Sequence, residues 1–140
     1  MKLIQRNRDA AYLQYDKYVD FDNPIVMEKA MDLTKNCRSV YEKIETIYYF
    51  VRDEIDHTWD AKDSTITISA SDVLEKKTGI SYSKANLLAA LMRANGIYTG
   101  FCYQRIKRFT YDNKLALHAL NAVFEPDVKK WIRLDARGNN

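Results

Sequence analysis

Gly79-Ile80-Ser81-Tyr82-Ser83-Lys84-Ala85-Asn86-Leu87-Leu88-Ala89-Ala90-Leu91-Met92-Arg93-Ala94-Asn95-Gly96 is the stretch on which the fold turns. Its spacing predicts a helix from Tyr82 to Ala94 that is apolar on nearly every side, through Ala85, Leu87, Leu88, Ala89, Ala90, Leu91 and Met92. Such a helix has to be enclosed by other elements, because any side left to water would expose hydrocarbon. Asn95-Gly96 ends it, glycine being free to take the left-handed cap conformation. At the other end, Gly79-Ile80-Ser81 sets a nucleophile-type hydroxyl at the helix mouth. Unpaired amides and the positive end of the helix dipole stabilise a developing anion there.

Upstream, helices are expected. Asn23-Pro24 opens one, with Asn as cap and Pro suited to the first helical position, and Val26, Met27, Ala30, Met31 and Leu33 forming its apolar face. Ser39-Val40-Tyr41-Glu42 reads as a capping box, in which each side chain satisfies the other's backbone amide. Val40, Ile44, Ile47, Tyr48, Val51 and Ile55 then recur at steps of three and four, which predicts a core-facing helix ending near Asp56. His57 to Ser69 reads as loop with a short strand at Ile66-Thr67-Ile68. Ser69 or Ser71 caps a brief helix from Asp72 to Lys76. Residues 1–22, with Tyr12, Tyr15 and Tyr18 among charges, read as an N-terminal arm laid over the domain.

Downstream come three strand-like runs, Ile97 to Arg108, Leu115 to Glu125 and Lys130 to Ala136, separated by turns at Asp112-Asn113 and Pro126-Asp127. Helices followed by a meander of strands imply an α+β fold with an antiparallel sheet. The 140 residues fit one domain, 1–140, and four Gly and two Pro leave no room for a flexible linker.

Composition excludes several classes. A net charge of +3 is too small to argue for nucleic acid; Arg105-Ile106-Lys107-Arg108-Phe109, the densest basic stretch, reads as the solvated end of a strand. No segment has the roughly 18 apolar residues of a membrane span, and Met1 to Arg6 lacks the apolar run of a secretory signal. Cys37 and Cys102 lack metal-ligand spacing, stand apart from His57 and His118, and call for no disulfide. The expectation is a reduced, cytoplasmic protein without metal or cofactor, and the oligomeric state is not legible.

Three residues point to chemistry together. Ser81 lies at the helix mouth, His118 in the second strand and Asp135 in the third. A nucleophile beside a histidine base, itself oriented by a carboxylate, is the arrangement of acyl-transfer sites. Each also has a plain structural reading: Ser81 as a helix cap, His118 as a satisfied core histidine, Asp135 as an ion-pair partner of Arg137.

Gly79 to Ala85, continued by Leu87 to Ile97, resembles the nucleophile helix of bacterial transglutaminase-like proteins, whose opening typically reads Gly-x-Cys. Leu117-His118-Ala119-Leu120-Asn121-Ala122-Val123 and Trp131-Ile132-Arg133-Leu134-Asp135-Ala136-Arg137-Gly138-Asn139 look like the family's His and Asp strands. Ser71 to Leu74 and Phe50 to Ile55 match upstream. The resemblance covers residues 40–139, with 37 positions from Ser81 to His118 and 17 from His118 to Asp135. It implies a papain-like fold and a thiol hydrolase or acyltransferase acting on amide or peptide bonds of a peptide or protein substrate. Ser81 stands where the family has its cysteine nucleophile, His118 at the base and Asp135 at the orienting acid.

Serine is the central departure. A thiol with a free pKa of about 8.5 ionises readily beside a histidine at a helix N-terminus, whereas a hydroxyl does not. Ser81 therefore implies little or no turnover. It reads as a natural pseudoenzyme, as an introduced Cys→Ser substitution, or, third, as a serine-using variant; Gly79 to Ser83 is not a Gly-x-Ser-x-Gly elbow, and no convincing strand leads into it. The alternative function is a non-catalytic module that holds a peptide in the vestigial cleft. The chain stops just after the Asp segment, where family members usually continue, so groove-wall elements are expected to lie outside it. The amide of residue 81 is the natural oxyanion donor. Trp59, His57 and Gln104 are candidates for a second donor, and Arg137 for contact with a substrate carbonyl or carboxylate.

Overall fold

A computed structural model describes residues 10–57, 66–107 and 115–137. Helix α1 spans Pro24–Thr34, α2 Val40–Glu54, α3 Ala70–Lys76 and α4 Ser81–Ala94; strands β3 (Thr99–Lys107), β4 (Leu115–Glu125) and β5 (Lys130–Leu134) follow. The last three form one antiparallel sheet in the order β3-β4-β5. Helices packed on an antiparallel meander make the fold α+β, as the order of elements predicts.

The caps act largely as the sequence implies. Asn23 accepts from the Ile25 amide at 3.1 Å, and Ser39 from the Glu42 amide at 3.1 Å. The expected reciprocal bond differs: the Glu42 carboxylate accepts from Arg38, at 2.8 Å, one residue before the cap. Ser69 caps α3 through the Asp72 amide at 3.2 Å, and Lys77 closes that helix in the left-handed region with φ 55°. In α1 the inward face is Val26, Ala30 and Thr34, whereas Met31 is exposed. Thr34 is buried because its hydroxyl bonds the Ala30 carbonyl and Asn95 Oδ1.

Helix α4 is the centre of the core. Leu87, Leu88, Ala89, Ala90, Leu91 and Met92 have no exposed surface, and Val26 of α1, Ile47 and Val51 of α2, Val73 of α3 and Val123 of β4 pack in the same cluster. Each fully buried Leu or Met contributes roughly 1.5–3 kcal/mol. Asn121, wholly buried on β4, donates to the Ala85 carbonyl (3.1 Å) and the Gly100 carbonyl (3.3 Å), fastening α4 to the sheet. Buried Arg93 donates twice to the Thr99 carbonyl (3.0 and 2.8 Å) and once to that of Gln14 (2.9 Å). That last bond, with Thr99 N to Tyr12 O and Ala70 N to Tyr18 O, holds residues 10–22 against the domain.

Three expectations need correction. Ile66 to Ile68 is not a strand. A two-residue parallel ladder appears instead, β1 (Asp56–His57) beside β2 (Thr78–Gly79), so a minimal strand does lead into Ile80 and Ser81. Too short to show alternation, these strands leave no periodic signal. Asp135 lies one residue beyond β5, not within it. The turn expected at Asp112-Asn113 lies outside the described residues.

Candidate active site

Ser81 is the first residue of α4 and is half-buried. Its reading as a cap does not hold. Ile80 occupies the cap position, and Ser83 reaches back to accept from the Ile80 amide at 3.0 Å. Ser83 is itself held by the Thr67 hydroxyl, at 3.3 Å, which also reaches the Thr78 carbonyl at 2.9 Å. Gly79 permits this close packing: a Cβ there would stand 2.7 Å from Ser83 Oγ and 3.2 Å from Thr67 Oγ1. With Ser83 supplying the local bond, the Ser81 hydroxyl is not consumed by the helix start.

His118 is 9% exposed on β4, opposite Gln104 of β3. Its Nε2 lies 2.7 Å from Asp135 Oδ2. The tautomer with its proton on Nε2 is the one that can donate to this carboxylate, and in that tautomer Nδ1 carries the lone pair. Asp135 is fixed in turn: Oδ1 accepts from the Arg137 amide at 3.0 Å, and its carbonyl accepts from the Tyr48 hydroxyl of α2 at 3.2 Å. The residue that reads as an ion-pair partner of Asp135 thus reaches its carboxylate through the backbone.

The structure brings His118 and Asp135 into direct contact. Among the described residues, no hydrogen bond joins the Ser81 hydroxyl to His118. Tyr82 and Tyr103, both exposed, meet with ring centroids 5.9 Å apart. Their contact ties the residue after Ser81 to the strand position next to Gln104, itself opposite His118. His57 is paired with Gly79 in the parallel ladder, which sets it beside the turn into α4. Trp59 lies outside the described residues, as do Arg108 and Phe109 of the basic stretch. Cys37 and Cys102 are free thiols. Among the described residues, no three His, Cys, Asp or Glu side chains group closely enough to hold a metal ion, and no helix is long and apolar enough to cross a membrane.

Lys84 was not among the expected functional residues. It is 1% exposed, and its Nζ donates to the Ile55 carbonyl at 2.7 Å. Burial, then Arg137, pushes its pKa down to about 8 against the opposing pull of Asp56, Asp135 and Asp53. A lysine one residue before the apolar run that begins at Ala85 was the available signal.

The fold thus carries a half-buried hydroxyl at the mouth of an enclosed helix, a histidine on the antiparallel sheet and, bonded to it, a carboxylate just past that sheet's last strand. Residues 28–136 match the model of the transglutaminase-like superfamily, and the chain belongs to that superfamily. It shares its fold with a candidate cysteine protease from Cytophaga hutchinsonii (TM-score 0.74, 22% identity, covering 92% of this chain and 42% of that one). The periplasmic domain of TgpA from Pseudomonas aeruginosa is also similar (TM-score 0.69, 18% identity, 94% and 49%). So is a candidate protease from Parabacteroides distasonis (TM-score 0.61, 17% identity, 91% and 26%). The chain thus spans half or less of the length of these structures. Comparison with curated proteins gives no match.

Proposed function

We propose that the chain is an acyl-transfer site for amide carbonyls of a peptide or protein, with the nucleophile position at Ser81, the base at His118 and the orienting carboxylate at Asp135. The observation that carries this reading is the 2.7 Å contact between His118 Nε2 and Asp135 Oδ2, which leaves Nδ1 as the proton acceptor. In the reaction, a nucleophile at position 81 attacks the carbonyl while His118 takes its proton. The oxyanion forms beside the unpaired amides at the start of α4, with that of residue 81 as first donor. Collapse expels the amine, protonated by His118, and water or another amine then releases the acyl group. With Ser81 in place of a thiol no ion pair forms beforehand, and turnover is expected to be negligible.

Ser81→Cys tests the site directly. The thiol at position 81 should alkylate with iodoacetamide at mildly acidic pH at least about tenfold faster than Cys37 or Cys102, because a histidine and a helix N-terminus lower a thiol's pKa well below 8.5. His118→Ala should abolish that advantage. Equal labelling of the three thiols would overturn the reading.

The exposed Tyr82–Tyr103 pair favours one rival, a cleft that only binds peptide. In that case Ser81→Cys leaves peptide affinity unchanged in titration calorimetry and creates no amidase activity. Absence of peptide binding in both forms would remove the rival.

A further inference from the structure

Lys84 stands three residues after Ser81 and is among the largest fully buried side chains of the protein. Lysine is seldom buried to that degree unless paired. Its Nζ donates to the Ile55 carbonyl at 2.7 Å and lies 3.5 Å from the Arg52 carbonyl. Both carbonyls belong to the end of α2, where a helix leaves its last acceptors without intrahelical partners. The charges of Asp56 on β1, Asp135 after β5 and Asp53 on α2 favour the ammonium, and that of Arg137 opposes it. Asp135 is the residue bonded to His118. One buried cation therefore fastens the first turn of α4 to the end of α2, within electrostatic range of the carboxylate that holds His118. Stability alone does not account for it, since apolar replacement of a buried ion is often neutral or stabilising.

We propose that Lys84 is a positioning residue of the acyl-transfer site, its ammonium clamping the first turn of α4 to the end of α2 and so setting position 81 against His118 and Asp135. The inference rests on the function proposed above. Its physical basis is the steep dependence of reaction on alignment, in which a displacement of about 1 Å lowers rates on the order of 100-fold. A charged amine holds the carbonyls more strongly than a neutral one. With its pKa near 8, the clamp loosens in mildly alkaline solution.

The test uses the full chain carrying Ser81→Cys, with iodoacetamide labelling at position 81 followed by mass spectrometry from pH 5 to 10. Lys84→Met in that background should lower the labelling rate at position 81 about tenfold, leave Cys37 and Cys102 unchanged, and remove a downward inflection near pH 8. Lys84→Gln, which keeps a neutral donor, should give an intermediate rate and also lack the inflection. If position 81 is activated but Lys84→Met keeps both rate and inflection, the clamp is wrong and the site reading stands. If position 81 reacts no faster than the other thiols, the site reading fails and the clamp fails with it. Where Lys84→Met does not fold, Lys84→Gln decides by the same two readouts. Should neither fold, the profile of Ser81→Cys alone decides: a downward inflection near pH 8, opposite in sign to the rise that thiol ionisation gives, supports the clamp and its absence overturns it.

Discussion

At the scale of single residues, the division of labour between Ser81 and Ser83 is informative. Two serines two positions apart at one helix start have different roles: Ser83 Oγ holds the Ile80 amide, and Ser81 does not cap. The same economy governs Asp135, whose two carboxylate oxygens face different donors, His118 Nε2 and the Arg137 amide. Asp135→Asn preserves the shape of that arrangement but offers His118 an amide in place of a charge. In the Ser81→Cys background it should lower labelling at position 81 at least about tenfold without loss of the folded state, because the carboxylate both selects the tautomer and stabilises the imidazolium. Rates from intact-mass spectra, with far-ultraviolet circular dichroism as control, check this outcome; an unchanged rate would show that Asp135 does not orient the base.

At the scale of elements, the junction of β2 and α4 is closely packed. The parallel ladder delivers Gly79 to a place where Ser83 and Thr67 leave no room for a methyl group. Gly79→Ala is expected to destabilise by about 1–3 kcal/mol, as overpacking of a close contact does. It should also slow labelling at position 81 in the Ser81→Cys protein, since Ser83 would have to abandon the Ile80 amide. Urea titration and the labelling rate measure the two effects separately. The start of α2 offers a contrast far from the chemistry. Ser39→Ala removes the acceptor for the Glu42 amide and should cost about 1 kcal/mol, with no effect on labelling.

At the scale of the whole molecule, Lys84 makes stability depend on pH in a definite direction. Its folded pKa, about 8, lies below the ordinary 10.5 of an exposed lysine. Between those values the unfolded chain holds a proton that the folded chain has released, so stability from this group rises with pH across that window and is lost as pH falls through 8. Lys84→Met lacks the effect. The difference in urea midpoint between the chain with Lys84 and Lys84→Met should therefore move in favour of the chain with Lys84 from pH 8 to 10.5, and a difference constant with pH would contradict the burial of the charge. Arg93 acts over a longer range, joining α4, β3 and the arm through three donated bonds. Arg93→Met should destabilise by roughly 1–3 kcal/mol, because it leaves the buried Thr99 carbonyl without its donors, and the loss is read from the same titration.

Among the described residues, the sequence by itself determined the four helices, the three long strands and their order. A helix apolar on nearly every side has one solution, enclosure, and Tyr82 to Ala94 carries that demand in its composition. Asn23, Ser39 and Ser69 act on amides two or three residues away, so local reading suffices for them. Ser81, His118 and Asp135 were legible as candidates because helix mouth and strand positions follow from the same local patterns, aided by their resemblance to a known family. Only the tertiary structure decided which atoms meet. Asp135 Oδ2 reaches His118 across 17 positions, Lys84 reaches Ile55 across 29, and Asn121 reaches Ala85 across 36. Such contacts leave no periodicity in the chain, since they depend on how elements stack rather than on how each one forms. The β1–β2 ladder escaped for the related reason that two residues cannot display a period. The burial of Lys84 escaped because a lone lysine on a helix ordinarily reads as a solvated charge, and only the packed ends of α2 and α4 show that it is enclosed.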